Sequence, residues 1–144
     1  MKRLIILILS CIPLIASAQE ITFESLMRDY SQKEGYTTIE LSPMMLKSMG
    51  VGNGIESVQV ISVEDRTLIK GFIESVESTI AELDTLMSIN SGGERVSVYG
   101  RSSVESGSII ELIVLTADKE EGVAVRITGS NIEISDIDSF INEL

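Results

Sequence analysis

The chain has 144 residues, of which 22 are Asp or Glu and 11 are Lys or Arg, so its formal net charge at pH 7 is −11. Binding to nucleic acid or to anionic lipid needs clustered positive charge, so this balance excludes both as expected partners. The chain has no histidine and one cysteine. This removes histidine-based catalytic triads, most zinc sites and histidine acid–base catalysis from consideration.

The first eighteen residues have the order of segments that is typical of a secretion signal. Two cationic residues precede an apolar run at residues 4–15, and Ala16-Ser17-Ala18 supplies an A-x-A cleavage pattern. The run is shorter than the roughly twenty apolar residues that a membrane-spanning helix needs. We therefore predict that residues 1–18 are cleaved and that residues 19–144 form an exported, periplasmic domain without a transmembrane segment.

Cys11 leaves a second interpretation of the N-terminus open. Ile8-Leu9-Ser10-Cys11 partly matches the lipobox of bacterial lipoproteins, in which the cysteine is lipidated and begins the mature chain. The apolar run ahead of Cys11 is short, however, and the apolar character continues beyond it to the A-x-A pattern. Cleavage after Ala18 is the favoured prediction, whereas lipidation would tether the protein to a membrane through acyl chains.

Cleavage after Ala18 would also change the composition. It would remove two positive charges and the only cysteine, so the mature chain would carry −13 and could form no disulfide. A domain of this size can be held together by one hydrophobic core, because it buries roughly two-thirds of its unfolded surface. We expect a single domain over residues 19–144.

The first half of the mature chain alternates helical and extended patterns. Apolar residues recur at steps of three and four in the helical stretches, whereas β-branched residues or strict alternation mark the strands. The predicted order is a helix capped by Thr22, with its apolar face at residues 23–30 and its end at Gly35, then a strand at 36–41, a short helix from Pro43 closed by Gly50, a strand at 55–63 and a longer helix at 69–83.

The second half predicts an antiparallel meander of four strands and a short terminal helix. The third of these strands is apolar on both faces and is expected near the centre, while the fourth alternates and is expected to expose one face to water. The strands are predicted at residues 85–89, 95–101, 108–116 and 122–128, and the helix at 135–144. Together these elements predict an α+β fold, an antiparallel sheet of about five to six strands with helices packed on one face.

Several short segments, taken in order after the predicted signal, resemble a known family. They are Tyr30-Ser31, Gly35-Tyr36-Thr37, Leu41-Ser42-Pro43-Met44-Met45, Glu94-Arg95-Val96, Glu111-Leu112-Ile113-Val114 and Ile127-Thr128-Gly129. In this order they are similar to the bacterial exported family known as domain of unknown function 4252, over almost all of the mature chain. The resemblance implies a small exported bacterial protein, and it brings neither an assigned activity nor functional residues.

Two acidic clusters are the candidates for catalysis by paired carboxylates. They are Asp118 with Glu120 and Glu121, and Asp136 with Asp138. A glycoside hydrolase needs two carboxylates facing each other about 5 to 9 Å apart across a cleft, a separation that no sequence displays. Neither cluster has the ligand spacing of a calcium loop. Solvated turns are the simpler interpretation, so we predict no catalytic residues and no metal site.

The short helix carries Met44, Met45 and Met49, of which the last two lie four residues apart on one helical face. Thioethers are soft ligands that select Cu(I), which would suit an exported protein. Methionine is also an ordinary filler of irregular gaps in a core. We favour core packing for these residues and therefore predict no cofactor.

Two hypotheses of function remain. The favoured one is a non-enzymatic interaction module of the cell envelope, which binds an envelope protein or another envelope component through a sheet edge or the apolar region of the short helix. The alternative is a small carboxylate-dependent hydrolase of the periplasm, which would use the acidic clusters.

Overall fold

The computed structural model describes residues 21–51 and 54–133. Three sequence predictions fall outside these residues: the cleavable signal at 1–18, the lipidation alternative at Cys11 and the last helix at 135–144. Each helix in the described stretches is too short or too polar to cross a bilayer.

Helices and strands alternate through the described stretches, and their order matches the predicted order. In chain order the elements are α1 (Phe23–Tyr30), β1 (Tyr36–Leu41), α2 (Pro43–Ser48), β2 (Ile55–Val63), α3 (Ile69–Glu77), β3 (Asp84–Ser91), β4 (Glu94–Ser102), β5 (Ile109–Ala117) and β6 (Gly122–Gly129). The side chain of Thr22 accepts a hydrogen bond from the amide of Ser25, so the predicted cap of α1 is confirmed.

The six strands form one sheet in the order β1-β2-β6-β5-β4-β3, and every neighbouring pair is antiparallel. The last four strands are neighbours in sequence order, which confirms the predicted meander. β6 then returns to pair with β2, which places β1 and β3 at the two edges. The α+β prediction is confirmed.

The helix face of the sheet, defined here as the side covered by α1 and α3, carries the first of two apolar clusters. Successive residues of a strand point to opposite sides, so every second residue of the inner strands meets these helices. The members of this cluster with 0% exposure are Ile61, Phe72, Val76, Leu115 and Ala124. Burial of their apolar surface is the main force that holds α1 and α3 against the sheet.

Three aromatic rings join α1, β1 and α3 at one side of this cluster. Tyr30 and Tyr36 stack with ring centroids 4.2 Å apart and an angle of 5° between the planes. Phe72 is tilted against both, with centroids 6.2 and 6.3 Å away. Such pairs contribute about 0.5–1.5 kcal/mol beyond area burial, so they fix the position of α1 on the edge strand β1.

The opposite face of the sheet carries the second apolar cluster, and α2 lies there. Leu46 of α2 and Ile132, which follows β6, pack with residues such as Val58 and Leu112. Pro43 opens the helix and the Ser42 hydroxyl caps it by accepting from the Met45 amide at 3.4 Å. The prediction that helices pack on one face thus holds for α1 and α3, whereas α2 lies on the opposite face.

α3 ends at Glu77, whereas the apolar spacing predicts a helix that continues to Leu83. The hydroxyls of Ser78 and Thr79 donate to backbone carbonyl oxygens three residues back. Such local bonds compete with continuation of a helix. Ile80 and Leu83 produced the longer pattern, and both still pack against the helix-face cluster from the turns that follow α3.

β6 differs from the prediction that one of its faces meets water. α1 and α3 cover one side of the sheet, and α2 and Ile132 pack on the other, so β6 is buried on both faces. Ala124 is buried on the helix face, and Val125 and Ile127 are buried on the opposite face. β5 is buried through its centre, as its apolar run predicts.

Candidate functional site

A row of polar side chains crosses the helix face near one end of the sheet. Its members, called here the polar row, come from five adjacent strands: Glu40, Gln59, Arg126, Glu111 and Arg101. The strand register sets Glu40 opposite Gln59, Gln59 opposite Arg126, and Glu111 opposite Arg101. Cross-strand neighbours of this kind lie close enough for direct side-chain bonds.

Arg126 is the centre of the polar row. Its Nε donates to Oε2 of Glu111 at 2.7 Å, and its Nη1 donates to Oε1 of Gln59 at 3.0 Å. Nη2 of Arg101 lies 3.2 Å from the other carboxylate oxygen of Glu111. The side chains of Arg126 and Glu111 are only 19% and 12% exposed, so this charge-assisted bond is shielded from water on most sides.

A cavity of about 410 Å³ opens above the polar row. Arg101, Glu111 and Arg126 line it from the sheet, and the first turn of α1 and residues 78–83 line it from the helix layer. Oε1 of Glu24, on α1, lies 3.9 Å from Nη1 of Arg126. Glu82 also lines the cavity, which therefore combines groups of both charge signs with an apolar lining.

The acidic residues at 118–121 form the turn between β5 and β6. The Asp118 carboxylate accepts hydrogen bonds from the amides of Glu120 and Glu121, at 2.7 and 2.8 Å. These bonds hold the pKa of Asp118 below its ordinary value. Glu120 pairs with Arg66 at 3.0 Å on an exposed surface. The cluster therefore shapes a turn, and Asp118 is unsuited to donate a proton near neutral pH.

The other predicted acidic pair, Asp136 and Asp138, lies outside the described residues. In residues 21–51 and 54–133, no group of three or more Asp, Glu, Cys or His side chains is placed to hold a metal ion.

Met44 and Met45 of α2, and Met49 directly after it, contradict the prediction of core packing. Met44, Met45 and Met49 are 79%, 51% and 43% exposed, because α2 has only six residues and turns Leu46 towards the sheet. Ile39 on the edge strand β1 is also exposed. The short helix therefore presents an apolar surface to solvent. Copper binding by these thioethers stays an untested alternative.

The edge strand β3 is exposed at each of its eight positions. Three large apolar side chains, Leu86, Met87 and Ile89, are between 44% and 48% exposed. A bulge lies between Thr85 and Met87, and beyond it the strand pairs regularly with β4 as far as Ser91. In the described part of the chain, β3 pairs with β4 on one side only, so its other side presents backbone donors and acceptors.

Sequence reasoning predicted β3 as a strand but did not predict which strands form the edges, and it missed the polar row. One signal for the row was present. Glu111 and Arg126 are single charged residues inside otherwise apolar strands, and charged residues are almost never buried unless they are paired. Their partners depend on which strands are neighbours, and the pairing of β2 with β6 joins Gln59 and Arg126 across 67 positions.

An antiparallel sheet with short helices on both faces, a polar row and an open edge defines a small α+β protein. Residues 30–140 match the family described as Domain of unknown function (DUF4252), and the chain belongs to this family. The predicted resemblance is thereby confirmed. Comparison with curated proteins and with solved structures found no match.

Proposed function

We propose that this protein is an exported, non-enzymatic binding module of the cell envelope, and that it binds an extended segment of a partner protein along β3. The observation that carries the proposal is the exposure of β3 at all eight positions, with three large apolar side chains among them. Export is supported by the signal pattern of residues 1–18.

The backbone of β3 supports strand addition. Edge strands are commonly protected by lysine, proline, a charge directed inward or a covering element. β3 contains neither lysine nor proline, and its single charged residue, Asp84, is at its first position. The bulge near Thr85 leaves the stretch from Met87 to Ser91 regular, which gives a partner strand a continuous edge to pair with.

The side chains of β3 add an apolar surface to that edge. Met87 pairs with Val98, and Ile89 pairs with Val96. Met87 and Ile89 therefore both project on the face of the sheet away from α1 and α3. A partner strand with apolar residues at alternate positions would continue this surface beyond β3. Backbone bonds would supply affinity, and the alternate side chains would supply selectivity.

The charges around β3 define the chemistry of the partner. Asp84 begins β3, and Glu94 begins β4 beside Ser91. The whole chain is strongly acidic, so a second copy would bring like charges to the same edge. The favoured partner is therefore an extended segment with alternating apolar residues and Lys or Arg near its ends.

A peptide selection tests this proposal. A display library of extended peptides is selected against the protein, and the enriched peptides are expected to share the apolar and basic pattern. The variant I89K places a charge on the apolar side of the edge and is expected to weaken the selected peptides at least about tenfold. The control M44K introduces the same charge at an exposed apolar residue of α2. It is expected to bind the selected peptides as tightly as the unmodified protein does.

Three results would contradict the proposal. Enrichment of no peptide pattern is the first, and equal binding by I89K and the unmodified protein is the second. The third is a stable dimer in sedimentation that I89K dissociates, because the occupant of β3 would then be a second copy.

A further inference from the structure

We propose a second binding site, independent of β3, in the cavity above the polar row, and we infer that its ligand is a small zwitterion of the α-amino acid class. The cavity, at about 410 Å³, falls within the range of about 300–1,000 Å³ that is usual for small-molecule sites. It also brings charged groups together from the sheet and from the helix layer, which is the arrangement that orients a ligand.

The positive side of the cavity consists of Arg101 and Arg126. Glu111 lies between them, with one carboxylate oxygen near each guanidinium group. A guanidinium group has five N–H donors. Among the described residues, Glu111, Gln59 and the distant carboxylate of Glu24 engage only some of these donors. The remaining N–H groups can donate hydrogen bonds to a ligand carboxylate without breaking the polar row.

The negative side consists of Glu24 and Glu82. Glu24 is mostly exposed, and its 3.9 Å separation from Arg126 is longer than a hydrogen bond, so its carboxylate is available to a ligand. Glu82 lines the same cavity from the segment after α3. An ammonium group beside either carboxylate would be stabilised by it.

The placement of the charges on two sides of the cavity, rather than their sum, favours a ligand that has both signs. Glu111 offsets one of the two arginines, which leaves one positive charge and the two wall carboxylates, Glu24 and Glu82. A simple anion would be repelled by these carboxylates, and a simple cation would leave the free guanidinium donors of the arginines without an acceptor. A carboxylate and an ammonium on one small molecule satisfy both sides at once.

The apolar lining sets the character of the rest of the ligand. Phe23 and Ile113 are buried members of the helix-face cluster and also line the cavity, together with the partly buried Leu83. An amino acid with an aliphatic side chain, such as leucine, would place that side chain against these residues while its charged groups meet the polar ones.

Titration of the full chain with leucine and two blocked derivatives tests this inference, with backbone NMR shifts as the readout. Leucine is expected to shift the amides around Phe23 and Ile113 in a saturable way. N-acetyl-leucine lacks the ammonium and leucine amide lacks the carboxylate, so each is expected to bind at least about tenfold more weakly, a loss of about 1.4 kcal/mol. Glycyl-leucine, whose charges lie farther apart, is expected to bind more weakly than leucine.

Two variants locate the site. R101Q alters the more exposed arginine of the cavity and is expected to weaken the binding of leucine at least about tenfold. R66Q makes the same change in an exposed ion pair with Glu120 and is expected to leave leucine binding unchanged. I89K is also expected to leave it unchanged, because β3 does not line the cavity.

The inference is overturned if leucine causes no saturable shift, if either blocked derivative binds as well as leucine, or if R101Q and R66Q behave alike. None of these results bears on strand addition at β3, so the two proposals can fail separately.

Discussion

Nε of Arg126 donates to Oε2 of Glu111 at 2.7 Å, between β6 and β5, the two central strands of the sheet. The pair lies on the helix face, where most neighbouring side chains are apolar. Glu111 also lies beside Arg101, so this one carboxylate bridges two arginines and orders one end of the sheet.

Removing the bridging carboxylate is expected to destabilise the fold. Glu111→Ala leaves Arg126 poorly hydrated and partly unpaired, and the free energy of unfolding should fall by about 2 kcal/mol. Urea denaturation monitored by circular dichroism measures the change. Glu24→Gln is the control, because its loose and exposed ion pair should contribute no more than about 0.5 kcal/mol. Equal losses of unfolding free energy in Glu111→Ala and Glu24→Gln would contradict the stabilising role of the Glu111 carboxylate.

Tyr36 is expected to make the fold sensitive to alkali. Burial raises its pKa, and the nearby Tyr30 and Asp65 raise it further. Because the unfolded chain ionises this phenol at a lower pH than the folded chain does, its contribution is complete below pH 10 and is lost as the pH rises further. Tyr36→Phe keeps the stacked ring and should reduce the loss of stability between pH 9 and 11. If Tyr36→Phe loses as much stability between pH 9 and 11 as the unmodified protein, ionisation of Tyr36 is not the cause of the loss.

Asp118 is expected to make the fold sensitive to acid. Its pKa lies below the ordinary value because two backbone amides donate to the carboxylate. Its contribution is therefore present above that ordinary value and is lost as the pH falls through the lowered pKa. In thermal unfolding from pH 6 to pH 2, Asp118→Asn should show a smaller drop in midpoint than the unmodified protein. Glu105→Gln, in the exposed loop after β4, should show the unmodified drop.

Gly100 is expected to accept a side chain only if neighbouring leucines shift. A Cβ there would lie 2.7 Å from Cδ1 of Leu86 and 3.0 Å from Cδ2 of Leu112. Gly100→Ala should cost about 1 kcal/mol in chemical denaturation, the low end of the cost of overpacking, because the end of the exposed Leu86 side chain can shift. The second substitution Leu86→Ala frees one side of the site, so it should restore part of the loss. A double variant that is no more stable than Gly100→Ala would show that Leu86 does not set the limit.

Much of the fold follows from local pattern. The cap at Thr22, the proline that opens α2 and the alternation in β2 are short-range signals, and each is found at its predicted place. Gly50 has a φ of 75°, a backbone conformation that favours glycine and ends α2 as predicted.

The rest depends on contacts between distant parts of the chain. The exposure of Met45 depends on how a helix of six residues docks, and periodicity does not determine that. The polar row exists only because β6 pairs with β2 as well as β5, which aligns Gln59, Arg126 and Glu111. The edge position of β3 has the same origin, because strand order is a property of the whole sheet.

The most direct test of strand addition uses a peptide selected on the protein and methylates its backbone nitrogens one at a time. In a paired strand, the amide groups of one strand point alternately towards and away from its neighbour. The account predicts that affinity for the protein falls sharply at every second position and changes little at the positions between. A uniform effect along the peptide, or none, would contradict pairing with β3.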